Sequence, residues 1–218
     1  MTGRAESTTT LIERLASDLT PVAPGEVPRR MAASLGVGAL VSLSIALGLW
    51  GFRPDLPHAL GTASFWIKEL FVLVLAAAGA AGLTALARPD GDARRPALIA
   101  VAVMLAMAAL AACELAGAAP AGRRDLLLGS TAAVCPWLIL SLSVPILVGV
   151  IVAVRTLAPT RLRAAGAAVG LSAGAVAALA YSITCGEQGL AFFVVFYGGA
   201  IAAVTAIGSL LGPRLLRW

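Results

Sequence analysis

Six long runs of apolar residues constrain this chain more than any other feature of its sequence. They cover about 31–50, 67–87, 97–116, 131–154, 164–184 and 190–211. Each run is close to the roughly 20 residues that a helix needs to cross about 30 Å of hydrocarbon. Because backbone groups inside lipid have no water to bond, each run must be helical. The sequence therefore predicts an all-α, polytopic membrane protein built as a six-transmembrane-helix bundle.

The amino-acid composition excludes several classes of function. The chain is 60% hydrophobic and 12% charged, against about 45–50% and 25% in soluble domains. These values exclude a soluble enzyme or a protein that contacts nucleic acid directly, and the continuous apolar blocks exclude a β-barrel, whose strands alternate. The single histidine, three cysteines and scattered acids form no catalytic or metal-binding motif. We therefore expect no enzyme activity, no metal and no cofactor.

Arginine and lysine residues are distributed unequally between the two sides of the predicted bundle. Twelve of the sixteen lie on the side that holds both termini. By the positive-inside rule, both termini are predicted to be cytoplasmic. The first run is also longer than the roughly 7–15 apolar residues of a signal peptide, so we expect an uncleaved span.

The boundary at about residue 30 divides the chain into a cytoplasmic tail, 1–30, and a transmembrane domain, 31–218. Within the tail, Thr10 and Glu13 have the spacing of a capping box, which predicts a short amphipathic helix over about 11–19. Its apolar stripe comprises Leu11, Ile12, Leu15, Ala16 and Leu19, opposite Glu13, Arg14, Ser17 and Asp18. Pro21 is predicted to end this helix, and Pro24 and Pro28 to form a stiff linker.

A helix of about nine residues is marginal in water, so its apolar stripe needs a surface to bury against. The membrane surface, the cytoplasmic loops of the chain and another protein are the three candidates. Helices that lie on membranes usually carry several basic residues, whereas this one has one arginine and two acids. The pattern therefore favours docking on a loop or on a partner protein.

Small residues and a proline indicate how the spans pack. Gly166, Gly170 and Gly174 repeat every four residues, as do Gly208 and Gly212. This spacing favours close packing within the bundle over self-dimerisation through the same glycines. Pro145 should kink the fourth span, with the hydroxyls of Ser141 and Ser143 available to the freed carbonyls.

Charged residues are missing from the middle of every span. Lys68, Glu69 and Glu114 lie near span ends on the predicted outer side, where we expect them to reach water as boundary anchors. Transporters and proton pumps usually place ionisable groups near the membrane centre, so this distribution disfavours ion transport.

The predicted topology brings two cysteines to the same boundary. Cys135 opens the fourth span and Cys185 closes the fifth, so both should lie at the outer face. In an oxidising periplasm these thiols could form a disulfide or a redox switch, and buried free thiols are the equally weighted alternative. Cys113 is expected to be a small packing residue or an alternative partner.

Segments 11–22, 53–56, 196–198 and 214–218 resemble NrsF-type negative regulators of sigma factor F. The resemblance covers nearly the whole chain. It implies a six-helix anti-sigma factor in the bacterial inner membrane, whose partner is an extracytoplasmic-function sigma factor. Periplasmic cysteines carry the signal in that family, and Cys135 and Cys185 are the matching positions. The family's His-Cys-Pro-Glu motif is replaced here by Thr184-Cys185-Gly186-Glu187.

We therefore predict that the tail binds the sigma factor through Leu11, Ile12, Leu15, Asp18 and Leu19. An oxidative or envelope stress sensed at Cys135 and Cys185 is expected to release it. A six-helix transporter or channel for a neutral solute is the main alternative, and a membrane scaffold indifferent to the cysteines is the third. Deletion of residues 1–22 distinguishes the first two, because transport should survive that deletion and sigma-factor retention should not.

Overall fold

The computed structural model describes residues 8–17, 25–88, 91–155, 157 and 159–217. Within these residues the chain is helical and has no strand. The helices are α1 (Thr8–Ser17), α2 (Glu26–Trp50), α3 (Leu56–Ala59), α4 (Ala63–Leu86), α5 (Arg94–Gly117), α6 (Arg123–Leu128), α7 (Cys135–Arg155), α8 (Leu162–Ser182), α9 (Leu190–Phe192) and α10 (Gly199–Leu215). A π-helical segment, Phe193–Gly198, joins α9 to α10 and makes them one long helix.

Six of these helices, among the described residues, are long and apolar enough to cross a membrane. They are α2, α4, α5, α7, α8 and the continuous helix Leu190–Leu215. The predicted all-α, six-span architecture is confirmed. The first of these helices begins at Glu26 rather than at residue 31, so Pro28 lies in its first turn and not in a linker. A proline is tolerated there because the first backbone amides of a helix have no partner within it.

The tail helix α1 also differs from its predicted start. Thr8 and Thr9 already have helical backbone, so Thr10 lies inside the first turn and does not precede it. The capping box predicted for Thr10 and Glu13 is therefore wrong.

Helix α8 occupies the centre of the bundle. It packs most extensively on α10 and α4 and also contacts α7 and α2. Fourteen of its 21 residues are buried, and most of these are alanine or glycine. Small side chains let four neighbours approach one helix, which is how helices associate when lipid provides no hydrophobic driving force.

The glycines of α8 and α10 face each other within the chain. A methyl group built on Gly166 would overlap the carbonyl oxygen of Gly208, and one built on Gly170 would overlap that of Val204. A methyl group built on Gly212 would likewise overlap the carbonyl oxygen of Leu162. The expected internal packing is therefore confirmed, since the two backbones are in direct contact at every one of these positions.

The carbonyl near the α7 proline is bonded by a neighbouring helix. Pro145 has no N–H to donate to the preceding turn, which weakens the helix there. The adjacent Leu142 carbonyl accepts a hydrogen bond from the buried Ser42 hydroxyl of α2 at 2.7 Å. Ser141 and Ser143 instead donate to Trp137 and Leu140. The expectation that these two serines serve the freed carbonyls is wrong, because each hydroxyl reaches back to an earlier turn.

We predict that Gly170→Leu destabilises the bundle by roughly 1–3 kcal/mol or more, because the new side chain meets backbone atoms that cannot move aside. Gly36→Leu is the matched control, since a Cβ at Gly36 meets nothing within 4 Å. Thermal unfolding of the purified protein in detergent compares the two. Equal loss of stability in both variants would contradict the packing described for α8.

Candidate functional site

Three loops meet at one end of the bundle, which we call the dithiol end. They are the loop between α2 and α4, the segment between α5 and α7, and the loop between α8 and α9, residues 183–189. The amide of Arg53 in the first loop donates to the Ile183 carbonyl in the third at 3.3 Å. Residues far apart in the sequence therefore share one site.

The two cysteines predicted to lie at the same boundary are brought together at this end. Cys135 is the first residue of α7, and Cys185 lies in the 183–189 loop. Both are free thiols, with exposed fractions of 0% and 2%. Hydrogen bonding between their side chains is the largest influence on the ionisation of Cys185, so the two sulfurs are neighbours. The structure therefore holds a buried dithiol formed across fifty residues of sequence.

Cys113 does not belong to this pair. It lies on α5 with its side chain exposed. The expectation that it serves as a packing residue is wrong, because α5 covers little of the bundle and turns most of its surface outward.

The environment of Cys185 favours its thiolate. The hydrogen bond from Cys135 lowers the pKa of Cys185, and the pKa falls to about 6 although burial acts in the opposite direction. The Tyr197 hydroxyl, the Glu187 backbone amide and the Lys68 ammonium also lower this pKa. A free cysteine has a pKa of about 8.5 and is mostly protonated at neutral pH. Cys185 therefore has the character of a nucleophile.

Lys68 is fully buried beside this thiol. Its exposed fraction is 0%, which contradicts the expectation that it reaches water as a boundary anchor. The ammonium donates to the Ser182 carbonyl at 3.3 Å and lies 3.6 Å from a carboxylate oxygen of Glu69. It also lies 5.2 Å and 5.1 Å from the ring centroids of Phe65 and Phe193, within the range of cation–π attraction.

Arg53 ties the Cys185 loop to the first loop. Its guanidinium donates to the carbonyls of Cys185 at 2.9 Å and Gly186 at 3.2 Å. Two further hydrogen bonds, of 2.8 Å and 2.7 Å, join it to both carboxylate oxygens of Asp55. These bonds lower the pKa of Asp55 to about 2 and raise that of Arg53. Asp55 therefore stays ionised and orients the guanidinium toward the cysteine loop.

Glu187 ties the same loop to the turn that precedes α7. One oxygen of its carboxylate accepts from the amide and hydroxyl of Ser130, at 2.8 Å and 2.7 Å, and from the amide and hydroxyl of Thr131, both at 3.1 Å. Gly129 has a positive φ of 51° and leaves room for this carboxylate. Because Cys135 follows this turn, Glu187 fixes the loop of one cysteine against the helix of the other.

Two tyrosines close the inner side of the site. The Tyr181 and Tyr197 rings lie 6.0 Å apart, and Phe193 contacts Tyr197 edge to face at 5.4 Å. The Tyr197 hydroxyl is buried and has no hydrogen-bond partner among the described residues, although it is close enough to Cys185 to affect its pKa. Tyr197 and Phe193 lie on the π-helical segment, a distortion that often occurs at functional sites.

Most of the residues around the dithiol were not predicted from the sequence. Apart from the cysteines, the residues that shape the site are Arg53, Lys68, Tyr181, Glu187 and Tyr197. A lysine inside an apolar run was the one available signal, because a charge within a span is functional by default.

The predicted partner-binding residues lie on the tail. Ile12 is on α1 with a side chain 60% exposed, so the chain itself does not bury it. The side chains of Leu11 and Leu15, and residues Asp18 and Leu19, lie outside the described residues. Their role stays a prediction.

Comparison with known proteins decides the family. A family model described as "Negative regulator of sigma F", NrsF, matches residues 15–218. The chain belongs to the NrsF family. It is 40% identical over 209 residues to a "Probable anti-sigma-F factor NrsF" of Azospira oryzae, covering 95% of this chain and 98% of that protein. It is also 35% identical over 215 residues to the "Anti-sigma-F factor NrsF" of Caulobacter vibrioides, with coverage of 95% and 98%. No solved structure matches the chain significantly.

We predict that Glu187→Ala loosens the dithiol end of this NrsF family member, because the amides and hydroxyls of Ser130 and Thr131 lose their acceptor. Hydrogen–deuterium exchange of residues 129–131 and 183–189 should rise clearly, while exchange in the middle of α8 should not change. Glu187→Gln keeps one acceptor oxygen and should show a smaller rise. Identical exchange in the wild type and both variants would contradict this role of Glu187.

Proposed function

We propose that this chain holds an extracytoplasmic-function sigma factor inactive at the bacterial inner membrane and releases it when Cys135 and Cys185 are oxidised or modified. The family and its anti-sigma-F relatives support the regulatory role. The observation that carries the sensing step is the dithiol itself: two distant, buried, free thiols lie together, and the pKa of Cys185 is lowered to about 6. Such a pair suits reversible thiol chemistry.

The charge distribution supports the proposed orientation. Twelve of the sixteen basic residues lie at the end opposite the dithiol or in the tail. By the positive-inside rule, we propose that this end faces the cytoplasm, where a sigma factor is found, and that the dithiol end faces the periplasm. Trp50, Trp66 and Trp137 lie near the dithiol end with exposed side chains, as expected of residues at a membrane interface.

The tail supplies the proposed binding segment. Helix α1 exposes Ile12, and an exposed apolar side chain on a short amphipathic helix is suited to a groove on a partner. We assign binding to Leu11, Ile12, Leu15 and Leu19, with the charges of Glu13 and Asp18 adjusting the fit.

The fold offers a route from the thiols to the rest of the bundle. Cys135 begins α7, and the Cys185 loop joins α8 to the last span, so a new bond or adduct at the dithiol acts on three packed helices. A coupling of about 1–3 kcal/mol between the two sites suffices for regulation.

We predict that replacing both Cys135 and Cys185 with serine abolishes the stress response of a sigma-dependent reporter while basal repression persists. Cys113→Ser is the control and should respond as the wild type does, because its exposed side chain lies outside the pair. A full response in the double variant would contradict thiol sensing.

We also predict that changing Leu11, Leu15 and Leu19 to aspartate abolishes co-purification of a sigma factor with the detergent-solubilised protein. Aspartate removes the apolar stripe, which should weaken binding by at least tenfold. Ser17→Asp, on the opposite face of α1, is the control and should retain the partner. Retention by the triple variant would contradict the assigned interface.

The alternative of a transporter or channel receives less support. An apolar cleft of about 650 Å³ lies between α4, α5, α8 and α10 and is open at its side. Along α5 it runs from Ala93 to Leu105, about 18 Å at the rise of a helix. That is less than two thirds of the roughly 30 Å thickness of the hydrocarbon layer, so the cleft by itself is not a path across the membrane.

A further inference from the structure

Lys68 is the charged group whose burial most needs an explanation. An ammonium that is 0% exposed inside an apolar bundle has lost its hydration, and such charges persist in membrane proteins only when they are paired or used. Proposing thiol sensing does not by itself assign Lys68 any role. The question is which negatively charged group pairs with its ammonium.

The immediate neighbours of Lys68 do not use the full hydrogen-bonding capacity of its ammonium. Its hydrogen bond to the Ser182 carbonyl is long, at 3.3 Å, and its contact with Glu69, at 3.6 Å, is beyond good hydrogen-bond length. The Glu69 oxygen in this contact is itself buried with no hydrogen-bond partner among the described residues. An ammonium has three N–H donors, so capacity remains for another anion.

Cys185 is placed to be that anion. Ser182, which receives the Lys68 hydrogen bond, precedes Cys185 by three residues, so the ammonium lies under the loop that carries the thiol. The Lys68 ammonium lowers the pKa of Cys185, although the hydrogen bond from Cys135 has the larger effect. On the opposite side, Arg53 holds the Cys185 carbonyl at 2.9 Å.

Lys68 and Arg53 are the cations that the described residues place near Cys185. From every element packed near it, the ionisable and charged groups are Cys135 of α7, Tyr181 of α8, Tyr197 of the π-helical segment, Lys68 and Glu69 of α4, and Arg53 and Glu187 of the loops. Arg53 is already paired with Asp55 through two hydrogen bonds. Lys68 is thus the cation best placed to balance a thiolate.

We infer that Lys68 is a positioning residue for the dithiol: its buried ammonium, acting together with the hydrogen bond from Cys135, favours the thiolate of Cys185 and makes Cys185, rather than Cys135, the attacking sulfur. This inference rests on the proposed thiol sensing and names the residue that sets its reactivity. It also explains why a lysine lies inside the bundle instead of reaching water.

A small-molecule disulfide is one class of oxidant with which this reaction balances. The Cys185 thiolate attacks one of its sulfurs, the sulfur–sulfur bond breaks, and one half leaves as a thiolate. Cys135 then attacks the Cys185 sulfur, and the second half leaves. The proton of Cys135 departs with a released thiol. Two protein thiols are oxidised to one disulfide, and one disulfide is reduced to two thiols.

The test is the pH dependence of alkylation at Cys185 in the full-length protein in detergent, with iodoacetamide as the probe and mass spectrometry to assign the site. In the wild type the rate should rise with a midpoint near pH 6, as thiolate forms. In Lys68→Met the midpoint should increase by at least about one unit, because an opposite charge nearby lowers a thiol pKa by about 1–3 units. The exposed Cys113 is the internal reference and should not change.

Two further variants separate charge from packing. Lys68→Arg keeps the cation and should keep the low midpoint. Glu69→Gln removes a competing anion beside Lys68 and should leave the midpoint unchanged or lower it further, the opposite direction to Lys68→Met. The inference is overturned by a wild-type midpoint near the value of about 8.5 for an ordinary thiol, by no alkylation of Cys185 at any pH, or by equal midpoints in the wild type and Lys68→Met.

The same variants distinguish this inference from the sensing proposal. A midpoint that depends on Lys68, with a reporter indifferent to both cysteines, supports the role of Lys68 and contradicts sensing. A reporter that needs both cysteines, with a midpoint indifferent to Lys68, supports sensing and contradicts the role of Lys68.

Discussion

Direct contact between the backbones of α8 and α10 is the interaction on which the rest of this structure depends. In lipid, helices do not gain from hiding apolar surface, so they associate through close packing and hydrogen bonds. Gly166 and Gly170 bring α8 against α10 with no side chain between them, and the alanines of α8 let α4 and α7 approach from other sides. The C-terminus of α8 therefore places the Cys185 loop in the middle of the dithiol end, beside α4, α7 and the π-helical segment.

Polar groups at that end form a connected set. Glu187 fixes the loop to the turn before α7, and the guanidinium of Arg53 fixes it to the loop before α4. The thiols lie between these two attachments, beside a buried ammonium. A site so closely held protects the reduced pair from solvent. Under the proposed mechanism, a chemical change at either sulfur would act on the attached helices, because the loop is held at both sides.

Two of the segments that resemble the family contain residues that surround the dithiol. The segment 53–56, one of the stretches that resembles the family, contains Arg53 and Asp55, the two residues that orient the cysteine loop. Segment 196–198 contains Tyr197, whose buried hydroxyl lies near Cys185. Within Thr184-Cys185-Gly186-Glu187, the glutamate bonds Ser130 and Thr131.

The sequence by itself determined the number of spans, their helical form and the position of both cysteines at one end of the bundle. The lengths of the apolar runs and their alternating direction are enough for these predictions, whatever the neighbours of each helix. The sequence also indicated the glycine contacts, since a four-residue repeat of small residues is a property of one helix face. Only the tertiary structure determined that Lys68 is buried. Its position near a span end predicted access to water, but α8 and the π-helical segment cover that part of α4. The partners of Arg53 and Glu187 were likewise undetermined, because a hydrogen bond between residues more than fifty positions apart exists only once the helices have packed.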